Sequence, residues 1–383
     1  MRQRFLVFGE PLIEEAEIQE VVDCLRKAWL GTGPKVLGFE REFAAYKGVP
    51  AAAAVNSCTA ALHLSCLALG LSPGDEVVTT AMTFCSTVNA IIHAGATPVL
   101  ADMDPETLNI SAEEIARKLT PRTRAILLVH FAGRPCEMDE ILALARERDL
   151  RVIEDCAHAV EAEYKGRKIG AMGDFGCFSF YATKNVVTGE GGMVVSPNEA
   201  MLNRIKVMAL HGLSADAWAR FSDSGYRHYY ATDLGFKYNM MDLQAALGIH
   251  QLRRVERNWL RRRDIWRRYM EELADLPLEL PAPTPPHMKH GHHLFTVRLC
   301  EERGAPLSRD RFLEEMTRHK IGVGVHYLAI PEHPFYRDRF GWRPEDFPHA
   351  TTYGRETVSL PISPKLTDQD LDDVIEAVRE ILT

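Results

Sequence analysis

The chain has 383 residues, of which 46% are hydrophobic and 26% are charged, and its formal net charge is −8. This length accommodates a large domain and a smaller one, and the negative charge argues against a nucleic-acid-binding surface. No apolar run reaches the roughly 18 to 20 residues that span a bilayer, and Glu10 and Pro11 interrupt the start too soon for a signal peptide, so we expect a cytoplasmic protein without membrane partners.

Short apolar runs alternate with helical patterns between residues 50 and 200. Such alternation indicates an α/β fold, with a mainly parallel sheet covered by helices on both faces. The predicted strands are 51–55, 76–79, 97–101, 125–130, 151–154, 176–181 and 192–196. The predicted helices between them are 58–69, 86–93, 111–119 and 138–148.

The C-terminal third has a different pattern. Residues 247–273 are predicted to form one long, arginine-rich helix, and the proline-rich run 277–286 marks a boundary or rim loop. Beyond that run, a strand at 293–299 and helices at 308–319 and 368–382 predict a small α+β domain. We therefore assign residues 1–250 to a large domain and 251–383 to a small one, and we expect a helix at 14–29 to pack against the small domain.

The first motif that could carry chemistry is FSFYATKN at 178–185, followed by GEGG at 189–192. A lysine among small, apolar and glycine residues loses hydration, which lowers its pKa and makes its amine a usable nucleophile. Taken alone, Lys184 would more often be a surface lysine, but its neighbours favour the chemical interpretation.

A second motif, VIEDCAH at 152–158, places Asp155 just past the end of a predicted strand. Open α/β sheets bind ligands at that edge, and a carboxylate there can pair with a pyridinium nitrogen. A strand-end aspartate that caps a turn explains Asp155 equally well. We expect Glu154 to have a structural role or to point away.

Two strand-to-helix junctions add to this candidate site. At 55–62, VNSCTAAL opens a helix whose free N–H groups and dipole suit a phosphate, although Asn56 or Ser57 serves equally as a plain N-cap. At 83–87, TFCST offers Phe84, which could stack on a flat ring or belong to the core.

In this order, NSxTAAL, TFxSTxNA, EDxAHA and FSFxATKN with GEGG resemble the fold-type-I pyridoxal phosphate (PLP) enzymes. Within them, the chain resembles the nucleotide-sugar aminotransferases of the DegT/StrS group, from Phe8 to its C-terminus. The resemblance implies a fold-type-I PLP-transferase: a large domain with a mainly parallel sheet of the seven-stranded type and a smaller C-terminal α+β domain.

The resemblance also implies roles for individual residues. Lys184 would form the Schiff base with PLP and carry the proton between the substrate carbon and the cofactor. Asp155 would pair with the pyridine nitrogen, and His158 would lie against the ring near its phenolic oxygen. Phe84 would stack on the ring face.

For the cofactor phosphate, the resemblance implies ligands from two subunits. The N–H groups of Cys58 and Thr59, the Thr59 hydroxyl and Ser179 would bind it within one chain. Cys58 replaces the Gly or Ala that the group usually has, a mild departure because backbone N–H groups do the binding. The segment GFKYNM at 235–240 resembles a loop that reaches the neighbour's cofactor, so Asn239 would donate to that phosphate in a homodimer with shared active sites.

Three segments bear on the substrate. HGL at 211–213 with DAW at 216–218, and GVGVHY at 322–327, resemble the branch that makes UDP-4-amino-4-deoxy-L-arabinose. The implied reaction moves an amino group from an amino acid, expected to be L-glutamate, to a nucleotide sugar, a UDP-4-keto sugar.

His326 and Tyr327 would line the sugar pocket, with Thr32 close by. After Leu328 the chain has AIPEH, where that branch more often has AAH. Amination of a 3-keto nucleotide sugar therefore stays open as an alternative.

Two further functions are alternatives to amino-group transfer. PLP-dependent sugar dehydratases of this fold carry His in place of the lysine, and a non-enzymatic regulator would be expected to have lost Lys184 or Asp155. Both residues are present. The histidines between 287 and 293 have no matching carboxylate or cysteine, and the eight cysteines form no C-x-x-C pair, so we expect no metal site.

Overall fold

A computed structural model describes residues 2–214, 229–300 and 303–383 of the chain. Its strands are β1 (Ala51–Val55), β2 (Glu76–Thr80), β3 (Thr97–Ala101), β4 (Thr123–Val129), β5 (Arg151–Asp155), β6 (Glu163–Tyr164), β7 (Arg167–Lys168), β8 (Phe175–Ser179), β9 (Gly192–Ser196), β10 (Met288–Lys289), β11 (Phe295–Arg298) and β12 (Thr357–Leu360). The described α-helices are α1 (Glu15–Arg26), α2 (Pro34–Lys47), α3 (Cys58–Ala68), α4 (Cys85–His93), α5 (Ala112–Lys118), α6 (Met138–Glu147), α7 (Glu199–Ala209), α8 (Asp242–Arg253), α9 (Val255–Glu272), α10 (Arg309–Arg318), α11 (Pro334–Phe340), α12 (Pro348–Glu356) and α13 (Asp368–Leu382).

Seven strands form the main sheet in the order β1-β9-β8-β5-β4-β2-β3. The pairs between β8 and β3 in this order are all parallel, and β9 runs antiparallel to both of its neighbours. Parallel neighbours require crossover connections, which the intervening helices supply. The predicted α/β fold with a mainly parallel, seven-stranded sheet is confirmed.

The sheet is covered on both faces because its central strands are apolar on both sides. In β4, Ala125 and Leu127 pack into one core cluster, whereas Ile126 and Leu128 pack into another. This is the alternation that a strand imposes on successive side chains. A strand buried on both faces has a continuous apolar run, and such runs are what the sequence contains.

The C-terminal part of the chain contributes a further core. There β11 and β12 pair antiparallel, and Tyr269, Phe312 and Val374 belong to one buried cluster. Leu6 joins this cluster and forms a bridge with Ile321. Among the helices that the structure describes, none has the length and apolar character to cross a membrane.

Two predicted helices differ from the structure. The single helix expected over 247–273 is two helices, α8 and α9, because the backbone at Arg254 (φ −110°, ψ 11°) leaves helical geometry. The helix expected over 14–29 is α1, which begins one residue later and ends three residues earlier. It contacts both sides of the assigned domain boundary: Glu20 hydrogen-bonds His250, and the buried Glu17 carboxylate accepts a hydrogen bond from Gln251 and pairs with Arg254.

The carboxyl ends of β1, β2, β4, β5 and β8 meet at one edge of the sheet, since β1 and β8 both run antiparallel to β9. Asn56 follows β1 at this edge, while Asp155 and Ser179 are the last residues of β5 and β8. The strand thus ends at Asp155, one residue later than the sequence predicted. Open α/β sheets bind their ligands at this edge.

Candidate active site

A cavity of about 420 Å³ opens where these strand ends converge. Most of the residues singled out in the sequence line it: Cys58, Thr59, Phe84, Asp155, His158, Ser179, Lys184, His326 and Tyr327. They come from segments far apart in the chain, and parallel strand direction brings them together. Asn239 and Thr32 are found elsewhere in the same chain.

Lys184 lies in the cavity wall, in a turn where its backbone N–H donates to the Tyr181 carbonyl at 2.9 Å. Burial of the amine lowers the pKa of Lys184 to about 8, and the nearby Asp155 carboxylate opposes this shift. A substantial fraction of the amine is therefore neutral near pH 7 to 8, and the neutral amine is the nucleophilic form.

Asp155 is 4% exposed, and each of its carboxylate oxygens has a protein donor. The Ala157 N–H donates to Oδ1 at 3.1 Å, and the Thr87 hydroxyl donates to Oδ2 at 2.9 Å. Because the Thr87 hydroxyl donates its proton to Asp155, the Thr87 oxygen accepts a hydrogen bond from the Thr83 hydroxyl, which is 2.7 Å away. Burial raises the pKa of Asp155, and the hydrogen bonds from Ala157 and Thr87 oppose the rise.

His158 has a defined tautomer. The Ala132 N–H donates to its Nδ1 at 3.2 Å, so the proton of the neutral ring is on Nε2. That proton is donated to the Tyr327 hydroxyl, 3.0 Å away. Burial lowers the pKa of His158 well below its usual value, and the positive charge of Lys184 adds to the effect.

Aromatic side chains also line the cavity. Phe84 precedes α4, and its residue is 55% exposed, which removes the alternative that it belongs to the core. Its ring centroid lies 5.7 Å from that of Tyr327. His326 Nδ1 hydrogen-bonds the Ser359 hydroxyl at 2.8 Å, and burial lowers the pKa of His326 to about 4.

The start of α3 forms a cradle for an anion. Ser57 is the N-cap, and its hydroxyl accepts from the Ala60 N–H at 3.1 Å, as the plain N-cap interpretation predicts. Helix geometry leaves the N–H groups of Cys58 and Thr59 without an acceptor inside α3. Gly192 packs directly against this helix start: a Cβ there would lie 2.5 Å from the Ser57 carbonyl oxygen.

Asn239 and Thr32 line a second cavity, of about 450 Å³. Asn239 Nδ2 donates to the Thr32 hydroxyl at 2.7 Å, and that hydroxyl donates to the Met240 carbonyl at 2.5 Å. Asn239 Oδ1 is buried without a hydrogen-bond partner among the described residues. Within one chain, therefore, Thr32 does not line the cavity of His326 and Tyr327. The DAW segment at 216–218 lies outside the described residues.

Glu154 has the structural environment that the sequence suggested. Its carboxylate accepts from the N–H groups of Gly170, Met172 and Gly173 at 2.7 to 2.9 Å and hydrogen-bonds His130 at 3.1 Å. Burial raises the pKa of Glu154, but these hydrogen bonds outweigh burial and hold the pKa below its usual value. Within the described ranges, the one group of side chains with metal-ligand spacing consists of His130, Glu154 and Cys156. The Glu154 oxygens, however, already accept hydrogen bonds from protein donors.

The donor set suits pyridoxal phosphate. A desolvated amine, a buried carboxylate and an open helix N-terminus face one cavity, and Gly192 lets β9 pack closely against the start of that helix. The sequence interpretation missed Thr87, the partner of Asp155. A signal was present in the TxxxT spacing of 83–87, which places two hydroxyls one helical turn apart at a strand end.

Comparison with known proteins identifies the family of the chain. The model of the DegT/DnrJ/EryC1/StrS aminotransferase family matches residues 11–379. MJ1066, an uncharacterised protein of Methanocaldococcus jannaschii, is 48% identical over 383 residues, covering 100% of this chain and 99% of that protein. The spore coat polysaccharide biosynthesis protein SpsC of Bacillus subtilis is 46% identical over 381 residues, covering 100% of this chain and 98% of SpsC.

Solved structures show the same similarity. Spr1654, a candidate sugar aminotransferase of Streptococcus pneumoniae, has a TM-score of 0.91 in its PMP form, at 32% identity and 98% coverage of both chains. Its PLP form gives a TM-score of 0.90. Fold and cavity together define a PLP-dependent aminotransferase of fold type I. More specifically, the chain belongs to the DegT/DnrJ/EryC1/StrS aminotransferase family, whose members are PLP-dependent sugar aminotransferases.

Proposed function

We propose that this enzyme transfers an amino group from L-glutamate to a UDP-linked 4-keto sugar. The observation that carries the proposal is the lining of one cavity: Lys184 and Asp155 line it together with His326 and Tyr327. A ping-pong cycle needs one site that accepts two substrates in turn, and both kinds of residue face the same space.

PLP supplies an electron sink that stabilises a carbanion next to the transferred nitrogen. Lys184 would bind it covalently and then act as the base that moves the proton, a task that its lowered pKa suits. Asp155 would hold a proton on the pyridine nitrogen. Its burial makes an unpaired carboxylate costly, and a cationic ring partner removes that cost.

His158 would position the cofactor ring as a neutral donor. Its Nδ1 is bonded to Ala132, so the ring cannot rotate without breaking that hydrogen bond. Its Nε2 proton orients the Tyr327 hydroxyl, whose own proton then points toward the cavity or a ligand in it. Phe84, exposed in the cavity wall, would stack on one face of the ring.

The phosphate would bind at the start of α3, through the N–H groups of Cys58 and Thr59 and the hydroxyls of Thr59 and Ser179. Asn239 would complete that shell from a second subunit. In support of this, Asn239 does not line the cavity of its own chain, and its amide orientation is fixed by Thr32. One Nδ2 proton remains for an acceptor.

The dimer has a direct test by subunit mixing. Lys184→Ala subunits and Asn239→Ala subunits are each expected to be inactive or weak alone. If Asn239 acts on the partner's phosphate, a mixed dimer has one site with both defects and one with neither, so activity should return in part. Exchange confirmed by differently tagged subunits, without recovery of activity, would place Asn239 outside the partner's site.

The acceptor is inferred from two sources. The segments at 211–213 and 322–327 resemble the branch that forms 4-amino-4-deoxy-L-arabinose on UDP, and SpsC, at 46% identity, is a polysaccharide biosynthesis protein. Lys184 argues against the dehydratase alternative. Amination at C3 is the remaining alternative, because the segment after Leu328 departs from the 4-amino branch.

A screen of keto nucleotide sugars with L-glutamate tests the proposal. We expect UDP-4-keto sugars to be aminated and free keto sugars to react poorly, because binding of the remote nucleotide positions the keto carbon. NMR of the product assigns the aminated carbon. Nitrogen at C3 would contradict the 4-keto assignment and leave the aminotransferase function standing.

A further inference from the structure

A network of buried polar side chains surrounds Asn185, the residue that follows Lys184. Asn185 Nδ2 donates to Glu161 Oε2 at 2.8 Å and to the Gly291 carbonyl at 2.9 Å, and its Oδ1 lies 2.9 Å from His293 Nδ1. Both amide protons and the carbonyl oxygen are therefore used. The side chain has one orientation in which all of its groups are paired.

His293 connects this network to the cavity wall. Because Asn185 Oδ1 can only accept, His293 Nδ1 must donate, which sets the tautomer of a neutral ring. Burial keeps the pKa of His293 well below its usual value. The ring packs against His158, with centroids 4.5 Å apart and planes 35° apart. Two neutral rings can stack in this way without charge repulsion.

The other end of the network is anchored on α9. Glu161 has no exposed surface, and its Oε1 lies 3.5 Å from Nη1 of Arg262, which is also buried. A buried carboxylate without a counter-charge is costly, so Arg262 lets Glu161 remain an acceptor for Asn185. The network thus links α9, from the C-terminal part of the chain, to the residue next to the reacting amine.

We propose that Asn185 and His293 are positioning residues, whose mutual hydrogen bond holds the Lys184 backbone in a fixed relation to the His158 ring. Neither of the two is among the described residues that line the cavity, so they act through their neighbours. The proposal rests on the proposed role of Lys184. A proton is transferred efficiently only when the amine is held within a fraction of an ångström of its reactive position.

Two substitutions separate the hydrogen bond from the packing. His293→Phe keeps a flat ring against His158 but leaves Asn185 Oδ1 buried and unpaired. His293→Asn loses the ring but places an amide donor close to the former Nδ1. Tyr353→Phe is the matched control, because it removes another buried hydrogen bond, to the Thr296 hydroxyl at 2.7 Å, outside the cavity.

Two rates are measured: the capture of PLP by cofactor-free protein, trapped with borohydride at Lys184, and a single-turnover half-reaction with L-glutamate. We expect His293→Phe to lower both rates by about 10- to 100-fold and His293→Asn to stay within about threefold of the unmodified enzyme. Thermal unfolding verifies that each variant is folded. If His293→Phe is not, Asn185→Ser takes its place with the same expectation.

Unchanged rates in His293→Phe would overturn the proposal. Equal losses in both His293 variants, or a loss matched by Tyr353→Phe, would also overturn it, since packing or stability would then explain the effect. The proposed function fails separately: borohydride labelling of a different lysine in the unmodified enzyme would reject Lys184 itself, whereas labelling at Lys184 with unaffected variants rejects only the positioning role.

Discussion

Lys184 and Lys47 are both desolvated lysines, but they lie in different surroundings. Lys47, the last residue of α2, is 3% exposed, and its Nζ donates to the carbonyls of Val160 and Ile169 at 2.7 and 2.9 Å. It also lies 4.2 Å from the centroid of the Phe178 ring. Burial lowers the pKa of Lys47 to about 7, below the value of about 8 for Lys184.

The comparison shows that a lowered pKa does not by itself make a nucleophile. The Lys47 amine is enclosed by a core and directed at two backbone acceptors, so a substrate has no path to it. Lys184 faces a cavity with Asp155 and His158 in the same wall. We infer that access and partners decide which of the two desolvated amines is reactive, and the following experiments test that inference.

The largest expected effect is the loss of covalent cofactor in Lys184→Ala. Borohydride treatment of the unmodified holoenzyme should label one peptide, containing Lys184, and the variant should lose both this label and transamination. Lys47→Met is the matched control and should keep the label. Peptide mapping by mass spectrometry decides the matter, and a label on Lys47 would reverse the comparison.

Asp155→Asn should come next in magnitude. The variant should still bind PLP through Lys184 but lose most of its rate in the glutamate half-reaction. Removing one partner of a buried charged pair costs about 3 to 5 kcal/mol, or about two to four decades in rate if that energy is lost at the transition state. Glu154→Gln is the control: it should lower the unfolding temperature, while the folded fraction keeps its rate. A near-normal half-reaction in Asp155→Asn would exclude the proposed role.

A third expectation concerns the pH dependence of cofactor capture by cofactor-free protein. The neutral amine reacts, so the capture rate should rise with pH through about 8 and level off above it. Between pH 7 and 9 the neutral fraction grows by about tenfold for such a pKa. Stopped-flow absorbance measures the rate. A rise that continues toward pH 10.5, as an ordinary lysine would give, would mean that Lys184 is not desolvated.

The smallest effect on chemistry is expected from Lys47→Met, which should act on stability instead. The variant leaves two buried carbonyls unpaired, at about 1 to 3 kcal/mol. Because the folded pKa of Lys47 is about 7 against 10.5 when unfolded, the unfolded chain binds more protons between these values, and the stability that Lys47 contributes rises with pH across that window. Urea unfolding at pH 6 and pH 9 should therefore show the larger loss at pH 9, and a larger loss at pH 6 would contradict this account.

The surroundings of Lys184 could largely be predicted from the sequence, whereas those of Lys47 could not. Lys184 lies in a segment with small and glycine residues that resembles the motif of a known family, whereas Lys47 lies at an ordinary helix end. Its surroundings at 160–169 and 178 are brought to it only by tertiary packing. Local pattern identifies a reactive lysine when its neighbours in sequence are also its neighbours in space.

The fold, too, could be predicted from the sequence only where local pattern determines it. The strands β1, β3 and β9 were predicted at their observed bounds, because each is a short, mainly apolar run. Two of them, β1 and β3, are the edge strands of the main sheet. The break between α8 and α9 leaves no proline or glycine in the sequence to mark it. The link from Thr87 to Asp155 joins positions 68 residues apart, so it depends on how α4 is set against β5, which spacing along the chain does not determine.

The acidic pair that ends β5 constrains the length of that strand. Glu154 is enclosed by the 170–173 loop, while Asp155 on the opposite face looks into the cavity. Because neighbouring strand residues alternate faces, a shift of one residue would exchange the faces of the two acids. An insertion or deletion in β5 would therefore remove the Glu154 carboxylate from the 170–173 loop and the Asp155 carboxylate from the cavity at the same time. Changes of length in the loops around the cavity would leave both acids in place.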